Sequence, residues 1–136
     1  MRLTTLIGRY GEGEIELEGD AESLRWLSTN LYDCVEFQEL SLHVPDLSPA
    51  PYLGFLVRVR LECSSGPVIV SRSGDLASIS GSMESLSILA QSVERLVNKP
   101  EPRSSRPRDH IHIEYFAGNE YVSENSVPLL VAMRLA

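Results

Sequence analysis

The sequence predicts an α+β fold in which a ββαββ unit occurs twice. Residues 19–24, Gly-Asp-Ala-Glu-Ser-Leu, are echoed by Gly-Ser-Met-Glu-Ser-Leu at 81–86, and the echo continues without a gap to Leu31 on Val93. Each echoed segment joins strand-like alternation to a stripe of apolar residues at helical spacing. Self-similarity at a fixed spacing with only two copies indicates an internal duplication rather than a solenoid.

A hairpin is predicted at the start of each unit. Residues 4–9 are rich in β-forming residues, and Gly11-Glu12-Gly13 is a turn signal. Residues 14–18 then alternate strictly between glutamate and apolar side chains, as a half-buried strand does. The second unit repeats this order, with strands predicted at 68–70 and 76–80.

A helix follows each hairpin, at about 20–33 and at about 82–97. Asp20 and Ser82 stand at equivalent positions and are residue types that cap helix N-termini well. Apolar residues recur behind each cap at helical spacing and predict one buried stripe per helix. We expect the following side chains to belong to the core: Leu24, Leu27, Leu86 and Leu89.

Two further strands complete each unit. In the first unit they are predicted at 39–44 and 53–63, separated by a loop with three prolines. In the second unit they are predicted at 110–116 and 127–135. The last strands match with an offset of 74, Leu56 falling on Leu130, so the second unit contains about a dozen additional residues.

These elements predict a single domain, residues 1–136, built from repeats at about 3–63 and 66–136. A chain of 136 residues can bury a sizeable core without disulfides or metals. Because each helix must bury its stripe on a sheet, we expect an antiparallel sheet of about eight strands with both helices on one face. A sheet split into two halves is also compatible with the pattern.

The net charge of −7 is unevenly distributed and constrains the partners. Residues 1–66 contain five Arg against eleven Asp and Glu, a charge of −6, and residues 67–136 contain seven Arg and Lys against eight, a charge of −1. Nucleic-acid binding is disfavoured because phosphates require a basic surface. An acidic face would instead attract a basic partner.

No feature of the sequence indicates a membrane or an export route. No apolar run approaches the roughly 20 residues needed to span a bilayer. The N-terminal residues lack the apolar core of a signal peptide. We therefore expect a cytoplasmic protein without membrane partners.

The strand His110-Ile111-His112-Ile113-Glu114 is the sharpest candidate site. Alternate residues of a strand share a face, so both imidazoles and the carboxylate should project together. In the repeat register Glu39 and His43 would be counterparts of His110 and Glu114. This set could form part of a protein-binding face. His110, His112 and His43 could alternatively bind zinc or iron, although a His-x-His pair alone is a weak signal.

A row of carboxylates follows the second strand, where Glu14, Glu16 and Glu18 share a face. Like charges side by side repel each other unless water or cations oppose them. Arg58 and Arg60, on another predicted strand, could supply the opposing charge. The row is either an ordinary solvated face or an anionic docking stripe.

The usual signatures of catalysis and cofactor binding are missing from the sequence. There is no Gly-x-Ser-x-Gly motif and no glycine-rich phosphate loop. We therefore expect a protein that is not an enzyme and that carries no cofactor.

The C-terminal unit resembles the immunity protein 32 family of bacterial polymorphic toxin systems. The residues that carry the resemblance are Ile79-Ser80-Gly81, Leu86, Leu89-Ala90, Leu96, Asp109 to Tyr115, Ser126 and Leu129-Leu130-Val131. The N-terminal unit departs from the pattern, with Glu39-Leu40-Ser41 where His110-Ile111-His112 would fall.

This resemblance implies a non-enzymatic inhibitor that is made alongside a toxin and binds it. The binding face would use the eight residues singled out above: Glu14, Glu16, Glu18, Glu39, His43, His110, His112 and Glu114. The alternatives are a metal-binding protein or small enzyme centred on the His-x-His strand, and a small-molecule binding module with a cavity between helices and sheet.

Overall fold

The computed structural model of the chain describes residues 5–34, 36–98 and 109–134. These ranges contain nine strands and two helices, and the α+β class is thereby confirmed. In chain order the elements are β1 (Ile7–Gly11), β2 (Glu14–Gly19), α1 (Ala21–Asp33), β3 (Phe37–Ser41), β4 (Gly54–Leu56), β5 (Arg58–Cys63), β6 (Ile69–Ser73), β7 (Leu76–Gly81), α2 (Met83–Val97), β8 (Asp109–Ile113) and β9 (Leu129–Met133).

The strands form two mixed sheets instead of the expected single antiparallel sheet of about eight strands. Sheet 1 has the order β4-β1-β2-β9-β8, and sheet 2 has the order β3-β5-β7-β6. The pairs β2–β9 and β5–β7 are parallel, and the other pairs are antiparallel. The difference arises because each helix leads the chain from one sheet into the other: α1 follows β2 and precedes β3, and α2 follows β7 and precedes β8.

The two sheets have the same internal pairing. The hairpin β1–β2 of the first unit lies beside β9–β8 of the second, and the hairpin β6–β7 of the second unit lies beside β5–β3 of the first. Leu17 pairs with Val131, and Ile79 pairs with Leu61. Each sheet therefore contains strands from both of the predicted units.

This pairing gives a different alignment of the last strands from the one expected. Because Leu17 and Ile79 are equivalent, Val131 is equivalent to Leu61, an offset of 70 rather than 74. The same reasoning makes His112 the counterpart of Glu39, since they pair with the equivalent residues Leu130 and Arg60. Apolar strands resemble one another after a shift of two or four residues, which leaves every side chain on its own face.

The helices begin where the sequence predicts and pack against each other. The Asp20 carboxylate accepts a hydrogen bond from the Ser23 amide at 2.8 Å, and the Ser82 hydroxyl accepts one from the Ser85 amide at 3.1 Å. α1 also contacts β2, and α2 contacts β7, β8 and β9. The four leucines expected in the core are confirmed there, each at most 1% exposed: Leu24, Leu27, Leu86 and Leu89. Neither helix in the described ranges has the length and apolar content that a membrane span requires.

The strand expected at 53–63 is interrupted at Val57, and its two parts lie in different sheets. β4 pairs with β1 in sheet 1, whereas β5 lies inside sheet 2. At the break, the Val57 amide donates to the Asp75 carbonyl and the Val57 carbonyl accepts from the Leu42 amide. In the second unit Val127 bonds to Val70 of sheet 2 just before β9 enters sheet 1. In both units the chain thus passes from one sheet to the other at this point. One hydrophobic cluster contains residues of both units.

Candidate partner-binding face

The face of sheet 1 that points away from the helices is called here the outer face. Its direction follows from β2, where Ile15 and Leu17 are buried in the core and Glu14, Glu16 and Glu18 point the other way. Paired residues on neighbouring strands share a face. The outer face therefore includes Arg9 of β1, Glu14, Glu16 and Glu18 of β2, Leu130 and Ala132 of β9, and His110 and His112 of β8.

Two rows of side chains cross this face. In one row Glu16 pairs with Leu130, which pairs with His112. In the other row Glu18 pairs with Ala132, which pairs with His110. The carboxylates and imidazoles are therefore separated by β9, a distance of roughly 10 Å across two strand spacings.

The structure brings together most of the predicted site residues but not all of them. Glu14, Glu16, Glu18, His110 and His112 lie on the outer face, and Glu114 follows β8 directly. Glu39 instead lies on β3 in sheet 2, because β3 pairs with β5. His43 lies beside the start of β1, where its amide donates to the Leu6 carbonyl at 2.9 Å. His43 therefore does not meet the histidines of β8, as the alternative metal-binding set would require, since β1, β2 and β9 lie between them.

Arg9 opposes the carboxylate row in place of the expected Arg58 and Arg60. Its guanidinium donates to Glu16 at 3.0 Å and to Glu18 at 3.1 Å. Arg134 also approaches Glu18, at 3.8 Å. Arg9 pairs with Glu16 across the β1–β2 hairpin, so the register itself brings them together. Arg58 and Arg60 pair with Glu39 in sheet 2, at 2.9 and 3.6 Å. Sequence reasoning missed Arg9 because it did not align the two strands of the hairpin.

Part of the outer face is covered by the proline-containing loop that precedes β4. The Tyr52 hydroxyl donates to the second oxygen of Glu16 at 3.0 Å, and the Tyr52 side chain lines a cleft of about 240 Å³ with Arg9, Glu16, Glu18 and residues of this loop. Glu16, which contacts this loop through Tyr52, is only 1% exposed. This carboxylate holds the loop on the sheet and does not offer a free surface to a partner.

The β8 side of the outer face is open. His110 and His112 are exposed, with ring centroids 5.1 Å apart in an edge-to-face arrangement. Beyond the strand, Tyr115 is 47% exposed and Phe116 is 61% exposed. Sequence reasoning did not select these aromatic residues, although exposed aromatic side chains beside a polar face are typical of interaction sites.

The charges differ between the two sheets among the described residues. The outer face of sheet 1 carries three glutamates of β2 against two arginines, Arg9 and Arg134. Glu12 and Glu114 add two exposed carboxylates at its ends. On the corresponding face of sheet 2, Arg58 and Arg60 are balanced by Glu39 and Glu62. The acidic excess therefore lies on sheet 1.

A metal centre has no support in the described ranges. These residues contain no group of three or more His, Cys, Asp or Glu side chains that could hold a metal ion. His110 and His112 are a neighbouring pair, and the third suggested ligand, His43, lies on the opposite side of β1 and β2 from them. Two imidazoles alone do not complete a zinc or iron ligand set.

Comparison with known protein families identifies a match over most of the chain. The family model described as Immunity protein 32 matches residues 14–73 and residues 77–133. The first segment runs from β2 to β6 and the second from β7 to β9, so the match covers most of the chain and includes the N-terminal unit as well as the C-terminal unit. No curated protein and no solved structure matches the chain.

Proposed function

We propose that this chain, which belongs to the immunity protein 32 family, binds a protein toxin through the outer face of sheet 1 and thereby neutralises it in the cell that produces both. Family membership supports the toxin-neutralising role. The choice of surface is supported by the exposed side chains on the face of sheet 1 that points away from the helices.

The observation that carries the choice of surface is the shared direction of the predicted residues. Glu14, His110 and His112 are exposed on one face, and their side chains contribute nothing to the core on the opposite side of the sheet. A polar face of this kind is available to a partner without any rearrangement of the fold. Tyr115 and Phe116 add apolar contact area at its margin.

The residues of this face have different parts in the proposed interaction. Exposed carboxylates such as Glu12, Glu14 and Glu114 attract a basic partner and chiefly raise the association rate. His110 and His112, together with the neighbouring aromatic residues, supply the contacts that become buried and govern dissociation. Glu16 acts indirectly, because it is buried and keeps Arg9 and Tyr52 in place.

The function is tested with a candidate toxin, sought as the product of a gene adjacent to that of this chain. Co-expression should restore growth of cells that produce the toxin, and the purified proteins should form a complex. Binding should weaken when salt is raised from about 0.1 M to about 1 M, where the Debye length falls from roughly 10 to roughly 3 Å. A toxin that neither binds nor is neutralised would contradict the proposal, and affinity that is independent of salt would contradict the role of the carboxylates.

A further inference from the structure

The free edge of sheet 1 is β8, which pairs only with β9 among the described residues. Which backbone groups point outward follows from the next pair of strands. The Ile15 amide donates to the Pro128 carbonyl, and the Arg134 amide donates to the Gly19 carbonyl. Even-numbered residues of β9 therefore direct their backbone groups toward β2, and odd-numbered residues direct theirs toward β8.

This alternation determines the hydrogen bonding of β8. Asp109, Ile111 and Ile113 pair with the odd-numbered residues of β9, so their amides and carbonyls form the ladder. The amides and carbonyls of His110 and His112 consequently point away from the sheet. Neither residue has another backbone hydrogen bond within the described ranges. Two donors and two acceptors are thus presented in the spacing of an adjoining strand.

Other strands at the margins of the sheets are covered or short. The edge of β1 is covered by β4, which has only three residues. The edge of β6 is approached by the segment around Val122, through a bridge to Val68 and a hydrogen bond from Val127 to Val70. The described edge strand most comparable with β8 is therefore β3 in sheet 2, which has the same length.

β3 is better protected than β8 against the addition of another strand, although the two strands occupy corresponding edges of their sheets. At its centre, Glu39 is charged and engaged by Arg58 and Arg60, and Arg60 lies over the Phe37 ring at 4.8 Å. Charged residues on an edge strand discourage the addition of another strand. The equivalent position on β8 is His112, an exposed side chain without an ion pair in the described ranges.

We infer that β8 accepts an extended segment of the toxin, which extends sheet 1 by one strand through hydrogen bonds to the backbone of His110 and His112. This inference rests on the proposed function and names the way in which the toxin binds. Main-chain bonds in such an arrangement provide affinity, and side chains on alternate positions provide specificity.

Charge favours a toxin segment over a second copy of this chain. A bound strand would place its outer-face side chains beside His110 and His112, close to the exposed carboxylate of Glu114 directly after β8 and on the same face as the glutamates of β2, two strands away. A second copy with a net charge of −7 would bring an identical acidic face alongside. A basic segment is attracted by the same charges.

Amide hydrogen exchange tests the inference directly. In the free full-length chain the amides of His110 and His112 should exchange rapidly, since no described group bonds to them. In the complex with the adjacent-gene toxin their exchange should slow by about tenfold or more, as expected for amides that acquire strand hydrogen bonds. The amides of Phe37 and Glu39 on β3 are the matched control and should be unaffected.

Substitution by proline provides a second test. His112→Pro removes an outward amide but no bond of the β8–β9 ladder, and proline is tolerated at such edge positions. It should weaken toxin binding by about tenfold or more through the lost hydrogen bond and the blocked approach of the strand. His112→Ala keeps the amide and isolates the side-chain contribution. Glu39→Pro is the matched substitution on β3 and should leave affinity within about twofold.

The possible outcomes distinguish strand addition at β8 from toxin binding in general. A complex that leaves the amides of His110 and His112 unprotected would overturn the inference while the toxin-binding function stands. Absence of a complex would contradict the function itself. Protection of these amides in the chain alone, increasing with its concentration, would show that a second copy occupies the edge and would also overturn the inference. If His112→Pro does not fold, the exchange measurement on the unchanged chain still decides.

Discussion

The Ser28 hydroxyl of α1 donates a hydrogen bond to the Ala90 carbonyl of α2 at 3.0 Å, and these residues are 62 positions apart. That separation equals the offset between the two hairpins and helices. One turn later, the Tyr32 hydroxyl donates to Glu94 at 3.2 Å, again across 62 residues. Equivalent residues of two related units can meet only near the axis that relates them. Contacts at this separation, repeated one turn later, are those that a pseudo-twofold axis along the helix interface would produce.

Replacement of Ser28 by alanine should destabilise the fold. Ser28 is 2% exposed, and its hydroxyl bond crosses the helix interface. We expect the free energy of unfolding to fall by about 0.5–1.5 kcal/mol, the usual net contribution of such a bond. Urea denaturation measures the change. Thr29→Ala is the control, because Thr29 is exposed on the same helix and alanine is the better helix former, so this variant should lose no stability.

The equivalent core residues Leu27 and Leu89 should be similarly sensitive to truncation. Each is 1% exposed and lies in the hydrophobic cluster shared by the two units. Leu27→Ala and Leu89→Ala should each lower the free energy of unfolding by about 2–5 kcal/mol. Leu53→Ala removes a side chain that is 66% exposed and provides the comparison. A loss below about 1 kcal/mol at either core site would contradict the assigned core.

Two glutamates of the same strand should respond differently to neutralisation. Glu16 is 1% exposed and accepts hydrogen bonds from Arg9 and Tyr52, whereas Glu14 is exposed. Glu16→Gln should lower the free energy of unfolding by about 1–3 kcal/mol. The amide has only one acceptor oxygen, so it cannot accept the hydrogen bonds of both Arg9 and Tyr52 in the present arrangement. Glu14→Gln should cost less than about 0.5 kcal/mol. Equal effects in chemical denaturation would show that the loop does not cover Glu16 in solution.

The N-cap of α1 should make stability depend on pH. The hydrogen bond from the Ser23 amide holds the pKa of the Asp20 carboxyl below its ordinary value of 3.8. Ionised Asp20 therefore stabilises the fold fully above that value, and this stabilisation is lost as the pH falls through the lower folded-state pKa. Asp20→Asn retains a capping oxygen but no charge.

Denaturation of both forms at about pH 6 and about pH 2.5 tests this expectation. The stability advantage of the natural chain over Asp20→Asn should be present at the higher pH and should diminish at the lower one. An advantage that grows on acidification would contradict the assigned direction of the pKa shift.

Local features of the fold could be predicted from the sequence because local interactions determine them. Period-two alternation located β2, helical spacing located both buried stripes, and Asp20 and Ser82 marked the helix starts. Partner strands could not be predicted in the same way. Whether the strand after a helix rejoins its own hairpin or the other one depends on contacts between residues far apart in the chain, which leave no periodic signal.

The candidate face was predictable only in part for the same reason. Alternation correctly placed Glu14, Glu16 and Glu18 on one face, and His110 and His112 together on one face. It could not show that Glu39 and His43 lie elsewhere, because that depends on strand pairing. Nor could it show that the loop ending at Tyr52 buries Glu16.

The proposed function places the toxin on sheet 1 and not on the equivalent surface of sheet 2. The most direct measurement is the dissociation constant of the toxin for two double variants, determined by calorimetry with folding verified by circular dichroism. His110→Ala with His112→Ala alters β8, and Phe37→Ala with Glu39→Ala alters the equivalent positions of β3. The first should weaken binding by about tenfold or more and the second by less than about twofold. An unchanged affinity of the first variant, or a larger loss in the second, would contradict the account.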